Sequence, residues 1–390
     1  MRAKSNNLLL LMVIVIGGII IMEVGVRELA PQQLVRGYAE PDPDLGTYVA
    51  QHYSYRDPYT AEGAYQVRTN DFRFRMDEDV DLSPKRQRVL VYGDSFTFGW
   101  GLNYQDSYFA ALKKVSESAH PQLQLLNAAV GGYASGHIFK LMKRHLPALK
   151  PSAMIYFFNN NDFTDNAITD VDYRVSNFSI EDDGQPVIND AQPFSSWKRF
   201  LLNRTPYAWL NRHSHLFVLT KGLLKRALSW KQRVEPINLN KVADAPASSL
   251  QPAFGLSLPS AYQNNPELAR LVYITELHIR RIADLAAVAK VPLLIIWVPS
   301  PDEMFAPDKA TPNQSLLALG RAMLTRLALE TPGVRFINTT YLIPTASDWL
   351  TRKGSLRLSD GHFNAAGARW YGNLVQPSMM DFLTSLASNK

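Results

Sequence analysis

Short, mostly apolar runs rich in Val, Ile, Leu and Phe alternate with stretches of helical period over much of this chain. That alternation restricts the fold more than any other feature. Residues 88–93 (RVLVYG), 122–130 (QLQLLNAAV), 152–158 (SAMIYFF), 291–300 (VPLLIIWVPS) and 334–340 (VRFINTT) read as buried strands. Between them, residues 108–119, 137–149, 266–290 and 316–330 place apolar side chains at helical spacing. Strands of this kind separated by amphipathic helices predict a parallel sheet covered on both faces, a three-layer α/β/α domain.

The alternation breaks between residues 166 and 265. There the sequence suggests a hairpin over residues 173–190 with Asp183-Gly184 at its turn, then a basic helical stretch, then a Ser/Pro/Ala-rich connector at 243–260. We read this as a cap-like insertion with basic amphipathic helices. Residues 31–86, rich in Pro, Tyr, Asp and Arg with little periodicity, read as an irregular lead-in. The expected organisation is an anchor at 1–30, the lead-in at 31–86, a core domain built from 87–165 and 266–390, and the insertion at 166–265.

Arg2 and Lys4 precede fifteen uncharged, mostly apolar residues from Leu8 to Met22, and the run extends to Val26 if Glu23 sits at an interface. That approaches the roughly 20 residues needed to cross a bilayer. A cleaved signal peptide is the rival, but residues 23–33 (EVGVRELAPQQ) offer no good Ala-x-Ala site. An uncleaved anchor is favoured. The basic short flank then places the N-terminus in the cytoplasm and the body outside, periplasmic or extracellular.

The net charge of +6 has a particular distribution: residues 191–234 hold nine Lys or Arg and no Asp or Glu, interleaved with Trp, Phe, Tyr and Leu. Such a surface suits a membrane or an acidic polymer, and equally a helical cap whose charges are simply solvated. Nucleic acid is not indicated, since no binding motif is present. Cysteine is absent, which excludes disulfides, thiolate metal sites and a cysteine nucleophile. The pair His213-x-His215 has no acidic or thiol companion, so neither metal nor cofactor is expected.

Chemistry gathers where strands end, because in open α/β sheets the carboxyl edge forms the site. Gly93-Asp94-Ser95 follows the first strand, Gly131-Gly132 the second and Asn159-Asn160-Asn161-Asp162 the third. Asp360 and His362 lie in a segment after the last. An attacking serine hydroxyl needs a base, the base an orienting acceptor, and the oxyanion donors. With Ser95 as that serine, His362 and Asp360 meet the first two needs. The N–H groups of Ser95 and Gly132 and the side-chain amide of Asn161 are the candidate oxyanion donors. The competing reading makes Ser95 a helix cap, Gly132 and Asn161 turn residues, and His362 structural like the other seven histidines. Asp162 is assigned to bracing the loop.

The order of these blocks resembles the SGNH, or GDSL, hydrolase superfamily: GDSF, the glycine of NAAVGGY, NND and DGH stand in that family's sequence. The resemblance covers roughly residues 67–165 and 266–380, and RTNDFRF and NDFTDN are similar to membrane-anchored bacterial members. It implies a flavodoxin-like three-layer fold and metal-independent acyl-ester chemistry. Two departures stand out: Asn160 occupies the usual glycine position of the third block, and Asp360 is two rather than three residues before His362, a spacing similar to alginate-acetylation proteins.

The resulting expectation is a membrane-anchored serine esterase acting on acyl, chiefly acetyl, esters of an envelope glycan or lipid. Two alternatives stay open. One is an O-acyltransferase with the same triad, modifying a polysaccharide; the other is an inactive glycan- or membrane-binding scaffold.

Overall fold

The computed structural model of the chain describes residues 2–30, 32, 34, 38–57, 63–166, 176–180, 186–190, 197, 200–201, 205–228, 266–305, 312–344 and 356–388. The chain divides into two compact units, residues 1–41 with 194–236, and residues 42–193 with 237–390.

The stretch expected to be irregular contains strands β1 (Ala39–Asp42), β2 (Gly46–Val49), β3 (Ser54–Asp57) and β4 (Tyr65–Arg68). β3 and β4 pair antiparallel, with Tyr55 opposite Val67. Four residues give only two alternations of side-chain direction, too few for a periodic signal to rise above the surrounding Pro and Gly.

The larger unit is organised by five parallel strands: β5 (Gln87–Gly93), β6 (Leu123–Asn127), β7 (Ala153–Asn159), then, after the hairpin of β8 (Ser176–Ile180) and β9 (Pro186–Asp190), β10 (Leu293–Val298) and β11 (Val334–Ile337). β8 and β9 are antiparallel, as expected; their turn lies outside the described residues, as does most of the 166–265 insertion. The five-strand order is β11-β10-β7-β5-β6. Read from β6, that is second, first, third, fourth, fifth in chain order, the flavodoxin-like arrangement, whose reversal of winding lies between β5 and β7. Every residue of β6, β7 and β10 is buried, as a sheet covered on both faces requires.

Successive strand residues point to opposite faces. Val89, Val91, Ile155, Phe157 and Ile296 pack against Tyr108, Phe109 and Leu112 of the Tyr108–Ala119 helix and Tyr371, Val375 and Met379 of the Ala365–Ser388 helix. Tyr92 on the opposite face stacks on His145 of the Ser135–Leu149 helix at 5.9 Å. That helix packs against Pro266–Ala289, which in turn packs against Pro312–Glu330. Burying each large aliphatic side chain in these layers stabilises the fold by about 1.5–3 kcal/mol relative to exposure. The helix expected at 316 starts at Pro312, whose fixed φ suits a first turn.

In the smaller unit, the Arg2–Leu29 helix carries the apolar stretch Leu10–Leu29, long and apolar enough to cross a membrane. Pro206–His213 begins with Thr205 as its cap, Oγ1 accepting the Ala208 N–H at 3.3 Å, and His215–Leu228 follows.

Candidate functional site

β5 delivers the chain to the carboxyl edge of the sheet at Gly93, where a side chain would collide with that of Thr97. Asp94 caps the short helix Ser95–Phe98, its Oδ1 accepting the Phe96 N–H at 2.9 Å. Ser95 is therefore the first helical residue and its hydroxyl is not needed as the cap. Its Oγ instead lies 2.8 Å from Nε2 of His362.

A buried guanidinium fixes the far end of that helix. Arg75 is 1% exposed and donates to the carbonyls of Phe98, Gly99 and Leu102, and to Gln66 O at 3.2 Å. Helix C-termini leave carbonyls unpaired, and here one side chain takes several of them. Gly99 closes the helix in the left-handed region at φ +82, against the Arg75 side chain.

His362 is presented by a tight loop. Leu358 N–H donates to His362 O at 2.7 Å, Asn364 N–H to Leu356 O at 3.2 Å, and Gly361 turns the chain at φ +93. Arg357 braces the loop, donating to Gly361 O at 2.9 Å and Pro299 O at 3.1 Å while lying over the Phe363 ring at 4.2 Å. Its burial pushes the guanidinium down to about 10.

Asp360 Oδ1 lies 3.0 Å from His362 Nδ1 and accepts the His362 backbone N–H at 3.1 Å. Its Oδ2 accepts the Trp100 Nε1–H at 2.9 Å. Partial burial alone would raise the Asp360 carboxyl; the His362 N–H, the imidazole and Trp100 outweigh it and hold the group below the ordinary carboxylate range. The rings of Phe96 and Trp100 flank the imidazole at 4.8 and 5.8 Å.

The ends of β6 and β7 supply donors and supports. A Cβ at Gly131 would touch Ser95 Cβ at 3.8 Å, whereas one at Gly132, held at φ +80, would meet nothing within 4 Å. No hydrogen bond among the described residues uses the N–H of Ser95, Gly131 or Gly132. Asn161 Nδ2 donates to Asp165 Oδ2 at 2.9 Å, and its side chain also helps to stabilise the Asp94 carboxylate. Asn159 Nδ2 donates to Asp94 Oδ2 at 3.1 Å. Burial pushes the Asp94 carboxyl up to about 6, against the opposing pull of the Phe96 N–H and Asn159. Asp162 lies under the loop, bonded by Tyr156 Oη, and burial raises its carboxyl well above the usual range.

Trp100, Arg75, Arg357 and Asn159 had no role in the sequence reading. Only Asn159 carried a signal, its place at a strand end; the contacts of the other three join distant segments. Among the described residues, no group of three or more His, Cys, Asp or Glu is placed to hold a metal ion.

No family model matches the chain, and no curated protein matches its sequence. Among solved structures it is similar to TesA, at 11% identity and a TM-score of 0.39 over 75% of this chain and 98% of that one. The psychrotrophic esterase EstA from Pseudoalteromonas gives 11% and 0.40, over 76% and 99%. A GDSL-like lipase from Bacteroides thetaiotaomicron gives 11% and 0.35, over 78% and 90%.

Proposed function

We propose that the chain is a serine esterase of SGNH type, anchored by its N-terminal helix with the catalytic body outside the cytoplasm. The observation that carries this reading is the 2.8 Å contact between Ser95 Oγ and His362 Nε2, made by a serine that its helix does not use as a cap. Asp360 and Trp100 complete a chain of polar contacts behind the imidazole.

In the first step Ser95 Oγ attacks the ester carbonyl carbon and its proton passes to His362 Nε2. Asp360 holds the Nδ1–H tautomer and favours the imidazolium that forms. The developing oxyanion accepts hydrogen bonds from the N–H groups of Ser95 and Gly132 and from the side-chain amide of Asn161. Collapse re-forms the carbonyl and breaks the bond from its carbon to the alkoxy oxygen, and the alcohol leaves with the proton from Nε2. Water then attacks the acyl-serine, giving its proton to His362, and the acid departs as the proton returns to Ser95. An outward-facing, anchored body meets envelope glycans and lipids, so acyl esters of those polymers, acetyl esters first, are the substrate class.

The test is to incubate the purified full chain with model esters of increasing acyl length, and with an acetylated polysaccharide plus an unmodified glycan, and to weigh the products. Free acid supports the esterase. Acetyl gained by the added glycan means that a glycan hydroxyl replaces water, and glycan binding without acyl release would replace this reading with a scaffold.

A further inference from the structure

The Arg2–Leu29 helix is tied to a second helix through a carboxylate inside its own apolar stretch. Glu23 Oε1 accepts the His215 N–H at 2.8 Å, and Oε2 accepts the Ser214 hydroxyl at 2.7 Å and the Leu216 N–H at 3.0 Å. One side chain from the first helix thus satisfies two of the free N–H donors at the start of the His215–Leu228 helix, and Ser214 Oγ takes a third, that of Phe217. Gln32 N–H donates to His215 Nδ1 at 2.8 Å and Arg27 Nη2 to His213 O at 3.4 Å, so the joint has several bonds.

Glu23 lies six residues before the end of the span Leu10–Leu29, about 9 Å at the rise of an α-helix. If the span crosses a bilayer, the second helix begins where hydrocarbon gives way to headgroups. The same unit leaves Trp197 67%, Phe200 61%, Trp209 59%, Leu223 54% and Leu224 58% exposed. Residues 191–234 add nine basic side chains and no acidic ones. Exposed Trp and Leu with unopposed positive charge match the headgroup layer, which accepts aromatic rings and apolar side chains and supplies negative charge.

We propose that the His215–Leu228 helix, with Trp197, Phe200 and Trp209, rests in the headgroup layer of an anionic leaflet, fixed to the anchor by Glu23. The proposal rests on the anchor reading and is independent of the chemistry at Ser95.

The cysteine-free chain allows a clean test. Single-cysteine variants Ile16→Cys, Leu224→Cys and Leu82→Cys, at positions 56%, 58% and 53% exposed, would carry a nitroxide in the full chain. The chain is reconstituted into vesicles of phosphatidylcholine with phosphatidylglycerol. Collisions with oxygen and with a water-soluble nickel chelate then report immersion. Expected is an oxygen-to-nickel ratio several-fold higher at Ile16 and Leu224 than at Leu82, with the Leu224 value falling in phosphatidylcholine alone. An immersed Ile16 with Leu224 indistinguishable from Leu82 would overturn the proposal and leave the anchor standing, the helix then facing water or protein. A water-like Ile16 would remove the anchor reading and the proposal together. Equal immersion of Leu224 in both lipids would remove the anionic requirement.

Discussion

Trp100 Nε1 donates to Asp360 Oδ2 at 2.9 Å, although 260 residues separate them. The indole ties the end of the Ser95 segment to the loop that carries His362. The carboxylate is thereby held from both sides, by the imidazole on one oxygen and the indole on the other.

Trp100→Phe keeps an aromatic ring beside His362 and removes the donor. A hydrogen bond of this kind contributes about 1 kcal/mol, so kcat/KM on a model ester falls roughly five-fold with little change in Tm. Asp360→Asn removes the charge and disturbs the tautomer, and costs about 10²–10⁴-fold. Steady-state kinetics on both variants check this ordering.

Asp94 and Ser95 separate capping from chemistry. Asp94→Ala lowers stability by about 1–2 kcal/mol, because the Phe96 N–H loses its acceptor. Ser95→Ala leaves the cap intact, so its denaturation midpoint stays near that of the parent while turnover is lost. Chemical denaturation of the two variants distinguishes the roles.

Arg75 holds the carbonyl end of the Ser95–Phe98 helix from a buried position. Arg75→Met leaves those carbonyls without their donor and costs about 1–3 kcal/mol per buried group so exposed. Gly99→Ala forces a side chain into φ +82 and against Arg75, and destabilises by about 1 kcal/mol or more. Urea titration would show both losses, accompanied by reduced turnover.

Burial lowers His137, His145 and His278 to about 3, helped by the neighbouring positive charges of Lys140, Arg144 and Arg281. Unfolded, each imidazole takes up its proton near pH 6.5. Between about 6.5 and 3 the unfolded chain binds more protons at these sites, so their contribution to stability is lost as pH falls through that window. Asp94, raised to about 6, acts oppositely, adding stability on acidification from about 6 towards 3.8, and the raised Asp162 and Asp165 share its sign. The clean measurement is therefore a difference. The stability of His145→Gln falls less steeply than that of the parent below pH 6.5, by about 1 kcal/mol per pH unit.

The sheet strands were legible because they are mostly apolar runs, buried throughout in β6, β7 and β10, and their ends marked Ser95, Asn159 and Asn161. Periodicity says nothing about which strands become neighbours, so the flavodoxin-like order was expected only through the resemblance of the motif blocks. The lead-in was misread because β1 to β4 are four residues each. Arg75 and Trp100 were invisible for another reason: a buried arginine or a bonded indole is defined by partners from distant segments. At the second glycine block the sequence pointed to Gly132, which the turn holds at φ +80, while it is a side chain at Gly131 that would touch Ser95. A glycine pair does not reveal which member faces a neighbour until the turn is formed.

The central claim is that Ser95 is a nucleophile activated by His362. Its most direct test is fluorophosphonate labelling of the full chain in detergent, with the modified residue located by peptide mass spectrometry. The account predicts label on Ser95, none in Ser95→Ala, and labelling slowed by about 10²-fold or more in His362→Ala. No label on folded parent protein, or label that persists at an unchanged rate in His362→Ala, would contradict it.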